Sequence, residues 1–257
     1  MCRHLAYVGE PVRLADLLLA PPHSLLRQSW APRDMRGGGT VNADGYGIGW
    51  YPTSPTRSEQ ADTAEPVRLR QACPMWTDAA LPGLASSVVT GGVLAAVRSA
   101  TVGMPVVETA CAPFTAGPWL FSHNGLVRGW PSSVAELASR VPVTDLLTMD
   151  APTDAALLWT LLRARLVAGE KPADAVAALV AEVAAAAPGS RLNLLLTDGS
   201  TIVGTAWTHA LWVCARPGGV VVASEPYDED PGWQEVPDGH LVTATSSSVD
   251  ITGVGEP

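Results

Sequence analysis

Between Thr153 and Ser224 the spacing of apolar residues changes from that of helices to that of strands, and no other feature limits the fold as much. Thr153 to Ala168 predicts a helix: Leu157, Leu158, Leu161, Leu162 and Leu166 share a face, Thr153 can cap it, and Asp154 suits its positive end. Asp174 to Ala187 predicts a second helix, closed by Pro188-Gly189. After it the period is two. Arg191–Leu196, Thr201–Trp207, Leu211–Ala215 and Val220–Ser224 read as strands, the first two joined around Asp198-Gly199, and His240–Ser246 adds a fifth. Earlier, His4–Val8, Tyr46–Tyr51, Val67–Ala72 and Val93–Arg98 are apolar runs of strand length. Strands, two helices and strands again predict an α+β domain, sheet packed on sheet with helices outside.

The remaining segments fill in around that frame. Arg13–Ala20 predicts a short helix stopped by Pro21-Pro22, and His23–Asn42 a long loop centred on Gly37-Gly38-Gly39. Pro52–Pro66 reads as a surface excursion, Thr77–Val88 as a helix broken near Pro82-Gly83, and the twenty residues after Thr101 as loop. Ser132–Arg140 opens with serines suited to capping a helix. Asn124-Gly125, flanked by Trp119–Ser122 and Leu126–Arg128, predicts a tight hairpin. Gly45-x-Gly47-x-Gly49 lacks both the dinucleotide spacing and the Gly-Lys-Ser/Thr ending of a phosphate loop, so close packing within a sheet is the simpler reading. With no internal repeat and no linker, residues 1–257 read as a single domain.

Composition excludes several classes. A hydrophobic content of 47% against 16% charged residues argues for a packed core over disorder. The net charge of −9 and the lack of any basic cluster argue against nucleic acid as a partner. The four cysteines form no Cys-x-x-Cys pair, and Cys2-x-His4 is not a ligand pattern, so no metal and no cofactor are expected. The most Ala/Val-rich stretch, Ala173–Ala187, is broken by Asp174 and Glu182 and is too short to span a bilayer. No membrane association and a reducing cytoplasm are therefore expected. Self-association as a homo-oligomer is left open.

Four scattered positions carry usable chemistry. Removal of Met1 would leave Cys2 with a thiol nucleophile and, on the same Cα, an amine titrating near pH 8 that can serve as its base; a buried residue at a strand start is the plainer reading. Arg98 could grip a carboxylate bidentately or turn outward to solvent. Asp154 could receive an ammonium or simply favour its helix terminus. Asn124 and Gly125 could supply two oxyanion donors, a side-chain amide and a backbone N–H, or only a turn.

Taken in order, Cys2, Asn42-x-Asp44-Gly45-x-Gly47, Arg98-x-x-Thr101, His123-Asn124-Gly125 and Thr153-Asp154 resemble the class II glutamine amidotransferase domain, with Ala223-Ser224-Glu225-Pro226 as a late marker. The resemblance runs from Cys2 to about Pro226. It implies a four-layer αββα sandwich of the N-terminal-nucleophile hydrolase type. It further implies Cys2 as nucleophile with its α-amine as base, Asn124 and Gly125 as the oxyanion hole, and Arg98 with Thr101 on a glutamyl α-carboxylate. Asp154 would take the α-ammonium, with His123 as a further substrate contact. One departure is Val41-Asn42-Ala43-Asp44, where many members carry His-Asn before the Asp-Gly run.

The implied reaction is thioester formation on a γ-glutamyl amide followed by hydrolysis, with a small-molecule γ-glutamyl compound as substrate. The motifs spread over the whole chain, so a stand-alone hydrolase is expected. Within the family, Cys2–Pro11 and Arg36–Gly47 look most like the ergothioneine-biosynthesis γ-glutamyl amidohydrolases, whose substrate carries a trimethylammonium. Nine tryptophans against two phenylalanines agree with cation–π binding of such a group, with Trp30, Trp119, Trp207 and Tyr227 as candidates. A glutaminase subunit feeding a separate synthetase, a γ-glutamyl peptidase acting on glutathione-like peptides, and a non-catalytic binding protein are the alternatives.

Overall fold

The first strand, β1 (Arg3–Arg13), is buried over its first six residues, which requires cover on both of its faces and both of its edges. The computed structural model, which describes residues 2–34, 41–53 and 65–255, supplies that cover. β1 pairs antiparallel with β4 (Val89–Val97) on one side and β10 (Gly219–Ala223) on the other. Beyond β4 lie β2 (Tyr46–Trp50) and β3 (Val67–Gln71); beyond β10 lie β9 (Trp212–Arg216) and β11 (Trp233–Glu235). This seven-stranded sheet faces a six-stranded one, in the order β13 (Val249–Gly253), β12 (His240–Thr245), β8 (Thr201–Ala206), β7 (Arg191–Thr197), β6 (Trp119–Leu126) and β5 (Phe114–Ala116).

Three apolar clusters separate the layers. Ala6, Val8 and Leu94 of the first sheet meet Leu120, Leu195 and Val242 of the second, where alternate side chains of each strand turn inward. Helices α1 (Leu14–Leu18), α2 (Leu25–Gln28) and α3 (Leu81–Ser87) cover the outer face of the first sheet, with Leu14, Leu18, Leu25 and Leu81 packed against Tyr46, Ile48 and Val97. Beyond the short α4 (Ala135–Ala138) and α5 (Val143–Leu147), helices α6 (Asp154–Val167) and α7 (Pro172–Ala186) cover the second sheet. There Leu157, Leu158, Leu162, Val176 and Val180 pack on Phe121, Leu194 and Val203. The result is the expected four-layer αββα sandwich. Among the described residues, no helix is long and apolar enough to cross a membrane.

Several expectations are corrected. Asn124-Gly125 makes no hairpin: β6 runs unbroken through both, paired residue for residue with β7 from Leu120 to Leu126. A turn signal acts locally, and here continuous pairing with β7 outweighs it. Pro82-Gly83 does not break a helix; α3 begins at Leu81 with the proline in its first turn, where a missing N–H costs nothing. The loop from His23 to Asn42 contains α2, capped by Ser24 accepting from the Arg27 N–H; its Gly37–Gly39 centre lies outside the described residues, as does most of Pro52–Pro66. Neither serine caps α4, and Ser133 instead donates to the Arg128 carbonyl. Of the glycine run, Gly45 forms the turn before β2, and Gly47 lies under the 109–113 loop, where a Cβ would be 2.2 Å from the Ala112 carbonyl oxygen.

Candidate active site

Cys2 stands immediately before the central strand β1, half-buried, its Sγ 3.8 Å from the Ser99 carbonyl oxygen. It lines a pocket at the end of the sandwich together with Arg98, Thr101, His123, Gly125 and Asp154. These residues come from the position just before β1, the loop after β4, the end of β6 and the start of α6. Antiparallel pairing of β1 with β4 brings Arg3 opposite Val97, so the residue after each strand end falls at the same rim.

The loop carrying Arg98 is held from below by the Asp44-Gly45 turn. Asp44 donates its N–H to the Arg98 carbonyl (3.0 Å), and Arg98 donates its own N–H to the Gly45 carbonyl (2.7 Å). The Asp44 carboxylate accepts from the Ala100 N–H at 2.8 Å. Gly45 sits at φ +134°, and a Cβ there would lie 2.4 Å from Cys111 Sγ, so only glycine fits the turn. Arg98 Nη1 donates to the Pro105 carbonyl at 2.9 Å, leaving the rest of its fork for a carboxylate.

Asp154 opens α6, whose cap is the Thr153 hydroxyl accepting from the Ala156 N–H. Its Oδ1 accepts from the Ala155 N–H (2.8 Å) and its Oδ2 from the Val127 N–H (2.9 Å). Both oxygens are thus fixed, and each keeps a lone pair. Asp150, just upstream, pairs with Arg70 at 2.7 Å and Arg68 at 3.4 Å. Arg68 also donates to the Pro113 carbonyl and Arg70 to the Thr109 carbonyl. These two arginines of β3 therefore tie the 109–113 loop and the approach to α6 onto the first sheet.

Gly125 faces the pocket with its backbone. Leu192, its partner on β7, turns its N–H and C=O toward β8 and its neighbours, bonding Trp207 and Thr205. The Gly125–Leu192 pair is therefore the non-hydrogen-bonded kind, and the Gly125 N–H points away from β7. On that side β5 has already ended at the level of Phe121. Val127, two residues on, sends its N–H the same way, to Asp154. A Cβ on Gly125 would lie 1.9 Å from the Arg191 carbonyl oxygen. That same oxygen accepts from His123 Nε2 at 2.9 Å, so this ring nitrogen carries the hydrogen.

Asn124 is the exception among the expected residues. It is fully buried on the opposite face of β6, between the sheets, and does not line the pocket. Its Nδ2 donates to Ser224 Oγ at 3.2 Å, while its Oδ1 has no hydrogen-bond partner. Of the four aromatic candidates, none lines the pocket. Trp30 meets Trp76 edge to face at 5.7 Å, Trp119 and Trp207 pack against the helical side of the second sheet, and Tyr227 is buried beside Trp233. The rings on the lining are Tyr46 and Phe114.

The motif reading gave no place to Cys111, a second thiol on the lining. Burial pushes it up to about 11, and its Sγ contacts the Gln71 and Val107 carbonyls. It is a protonated wall residue and does not compete with Cys2 near neutral pH. Tyr46 stood in the Asp44-Gly45-Tyr46 run but was taken only as strand; its hydroxyl donates to Asp78. Among the described residues no cluster of three His, Cys, Asp or Glu side chains is arranged to hold a metal.

Two facing antiparallel sheets between helical layers, with a thiol at the head of a central strand, make this an N-terminal-nucleophile hydrolase sandwich. Residues 24–218 match the family model for class-II glutamine amidotransferases, and the chain belongs to that family. A protein of Mycolicibacterium smegmatis named gamma-glutamyl-hercynylcysteine sulfoxide hydrolase is 43% identical over 253 residues, 98% of this chain and 99% of that one. One of the same name from Mycobacterium tuberculosis is 39% identical over 99% of this chain and 97% of its own length. Among solved structures, a glutamine aminotransferase class-II domain protein from Silicibacter pomeroyi superimposes with a TM-score of 0.69 at 22% identity, covering 98% of this chain and 99% of that one. It shares the fold.

Proposed function

We propose that this chain hydrolyses a γ-glutamyl amide, releasing glutamate from γ-glutamyl-hercynylcysteine sulfoxide in ergothioneine biosynthesis, with Cys2 as the nucleophile. The end-to-end likeness to relatives of that name carries the choice of substrate. The reaction class draws further support from a pocket with a thiol, a guanidinium and a carboxylate on its walls, a pattern that matches the head of an amino acid.

With Met1 removed, the Cys2 α-amine takes the thiol proton and the sulfur attacks the γ-carbonyl. Arg98, with Thr101 beside it, binds the glutamyl α-carboxylate through charged hydrogen bonds worth roughly 1.5–3 kcal/mol each. Asp154 accepts from the α-ammonium, and His123 completes that end of the pocket. The tetrahedral oxyanion takes the Gly125 N–H, and the second Nδ2 hydrogen of Asn124 reaches it once bound substrate opens the wall behind which that amide is buried. The α-amine then gives its proton to the leaving nitrogen, the C–N bond breaks and a thioester remains. Water, deprotonated by the same amine, hydrolyses the thioester to free glutamate and restores the thiol. No metal or redox cofactor enters these steps. All four cysteines are free thiols, in keeping with a cytoplasmic, single-domain enzyme spanning residues 1–257.

Glutamate release from the sulfoxide substrate, glutamine and glutathione, measured on one preparation, tests the assignment. The sulfoxide should lead in kcat/KM by at least about tenfold. A lead for glutamine would instead identify a glutaminase, and one for glutathione a γ-glutamyl peptidase.

A further inference from the structure

Ser224 lies one residue past β10, between the strand that carries the nucleophile and the strand that carries Asn124. Its hydroxyl oxygen accepts from the His4 backbone N–H at 3.0 Å and from Asn124 Nδ2 at 3.2 Å, and its own N–H bonds the His4 carbonyl at 3.0 Å. Ser224, His4 and Asn124 are all buried. The β1–β10 ladder ends at the Leu5–Ala223 pair, so the side chain of Ser224 replaces the next backbone acceptor. One oxygen therefore joins two elements of the site across the gap between the sheets. His4, which it holds, is two residues from Cys2. Asn124, which it also holds, would otherwise rotate about its last torsion, a soft one for an amide.

We infer that Ser224 is a positioning residue for the γ-glutamyl hydrolysis, fixing the Asn124 amide with its nitrogen on the nucleophile's side; this rests on the reading of Asn124 as an oxyanion donor. An amide nitrogen has two hydrogens. With one on Ser224, the other has a single allowed direction, and the donor needs no reorganisation when charge develops on the substrate oxygen. Asn124 Oδ1 has no partner of its own, so nothing on the oxygen end substitutes for Ser224. Because the contact matters only once the oxyanion forms, its loss should lower kcat and leave KM nearly unchanged.

The test is a double-mutant cycle with Ser224→Ala and Asn124→Ala, reading kcat and KM for glutamate release beside thermal melting. S224A should lower kcat by roughly ten- to a hundredfold, short of the ~10²–10³ for removal of a donor, with KM within about threefold. In the N124A background the same substitution should cost clearly less, because the amide it positions is gone and only its hold on the His4 N–H is left to lose. Equal factors in both backgrounds, or full kcat in S224A, would overturn the inference. Full kcat in N124A would remove the oxyanion reading itself, and the inference with it. Should S224A fail to fold, Ser224→Cys, similar in volume with a weaker acceptor, enters the cycle under the same criterion.

Discussion

Replacing Gly125 with alanine should damage catalysis far beyond what one methyl group does elsewhere on a strand. The new Cβ would lie 1.9 Å from the Arg191 carbonyl oxygen, 2.6 Å from its carbon and 2.7 Å from His123 Nε2. Ordinary contact begins near 3.4 Å, so β6 and β7 would have to part by about 1.5 Å at this point. Two of the three obstacles are backbone, and no rotamer change relieves them. Overpacking of this kind costs about 1–3 kcal/mol, a Tm drop of roughly 2–12 °C for a chain of this size. The larger effect falls on the reaction. The displaced atoms include the Gly125 N–H and the carbonyl that anchors His123, and misplacing an oxyanion donor by an ångström costs ~10²-fold or more in kcat. Steady-state glutamate release with a parallel melting curve measures both. A G125A enzyme with full kcat, or one whose kcat falls only as far as its folded fraction, would refute the assignment of Gly125.

Other consequences can be checked on the same preparation. Burial, then the neighbouring His123, holds His4 well below its ordinary value, and burial holds His209 at about 3. In the unfolded chain both titrate near 6.5, so the unfolded state binds more protons below that pH. Stability should fall as pH drops from 6.5 toward 3, by at most about 1.4 kcal/mol per pH unit for His4; flat urea midpoints between pH 7 and 5 would contradict it. The Glu225 carboxylate accepts from the Arg33 and Asp34 N–H groups and faces Arg3 at 3.9 Å, with Glu225 and Arg3 both buried. Glu225→Gln should therefore destabilise by about 3 kcal/mol in urea unfolding, and an unchanged midpoint would show that the buried Arg3–Glu225 pair adds nothing to stability.

The clearest parts of the sequence were those in which one period governs a whole element. Leu157, Leu158 and Leu162 face the second sheet from α6 as their spacing implied, and β7 to β10 fall close to their period-two runs. Where tertiary contact overrides local chemistry, the reading failed. Asn124-Gly125 has the composition of a turn, yet Gly125 is glycine because the Arg191 carbonyl occupies the space of a side chain. The edge strand β11 has only three residues, two of them exposed, too few to show a period of its own. Residues in ordered motifs do come together in space, since Cys2, Arg98, Thr101, His123, Gly125 and Asp154 line one pocket. The burial of Asn124 on the far face was in principle readable, because neighbours on a strand point to opposite sides, but that inference required β6 to be a strand. The Cys111–Gln71 contact and the Arg70–Asp150 tie had no local signal, since they join residues about 40 and 80 positions apart.

The central claim is that the sulfur of Cys2, freed of Met1, forms the covalent link to the glutamyl group. Intact-mass and peptide mass spectrometry after reaction with an electrophilic glutamine analogue reads both parts at once. One adduct per chain is predicted, on residue 2, in molecules lacking Met1, with loss of activity in step with labelling. An adduct on Cys111 or Cys73, or a Met1-retaining chain that turns over at full rate, would contradict it.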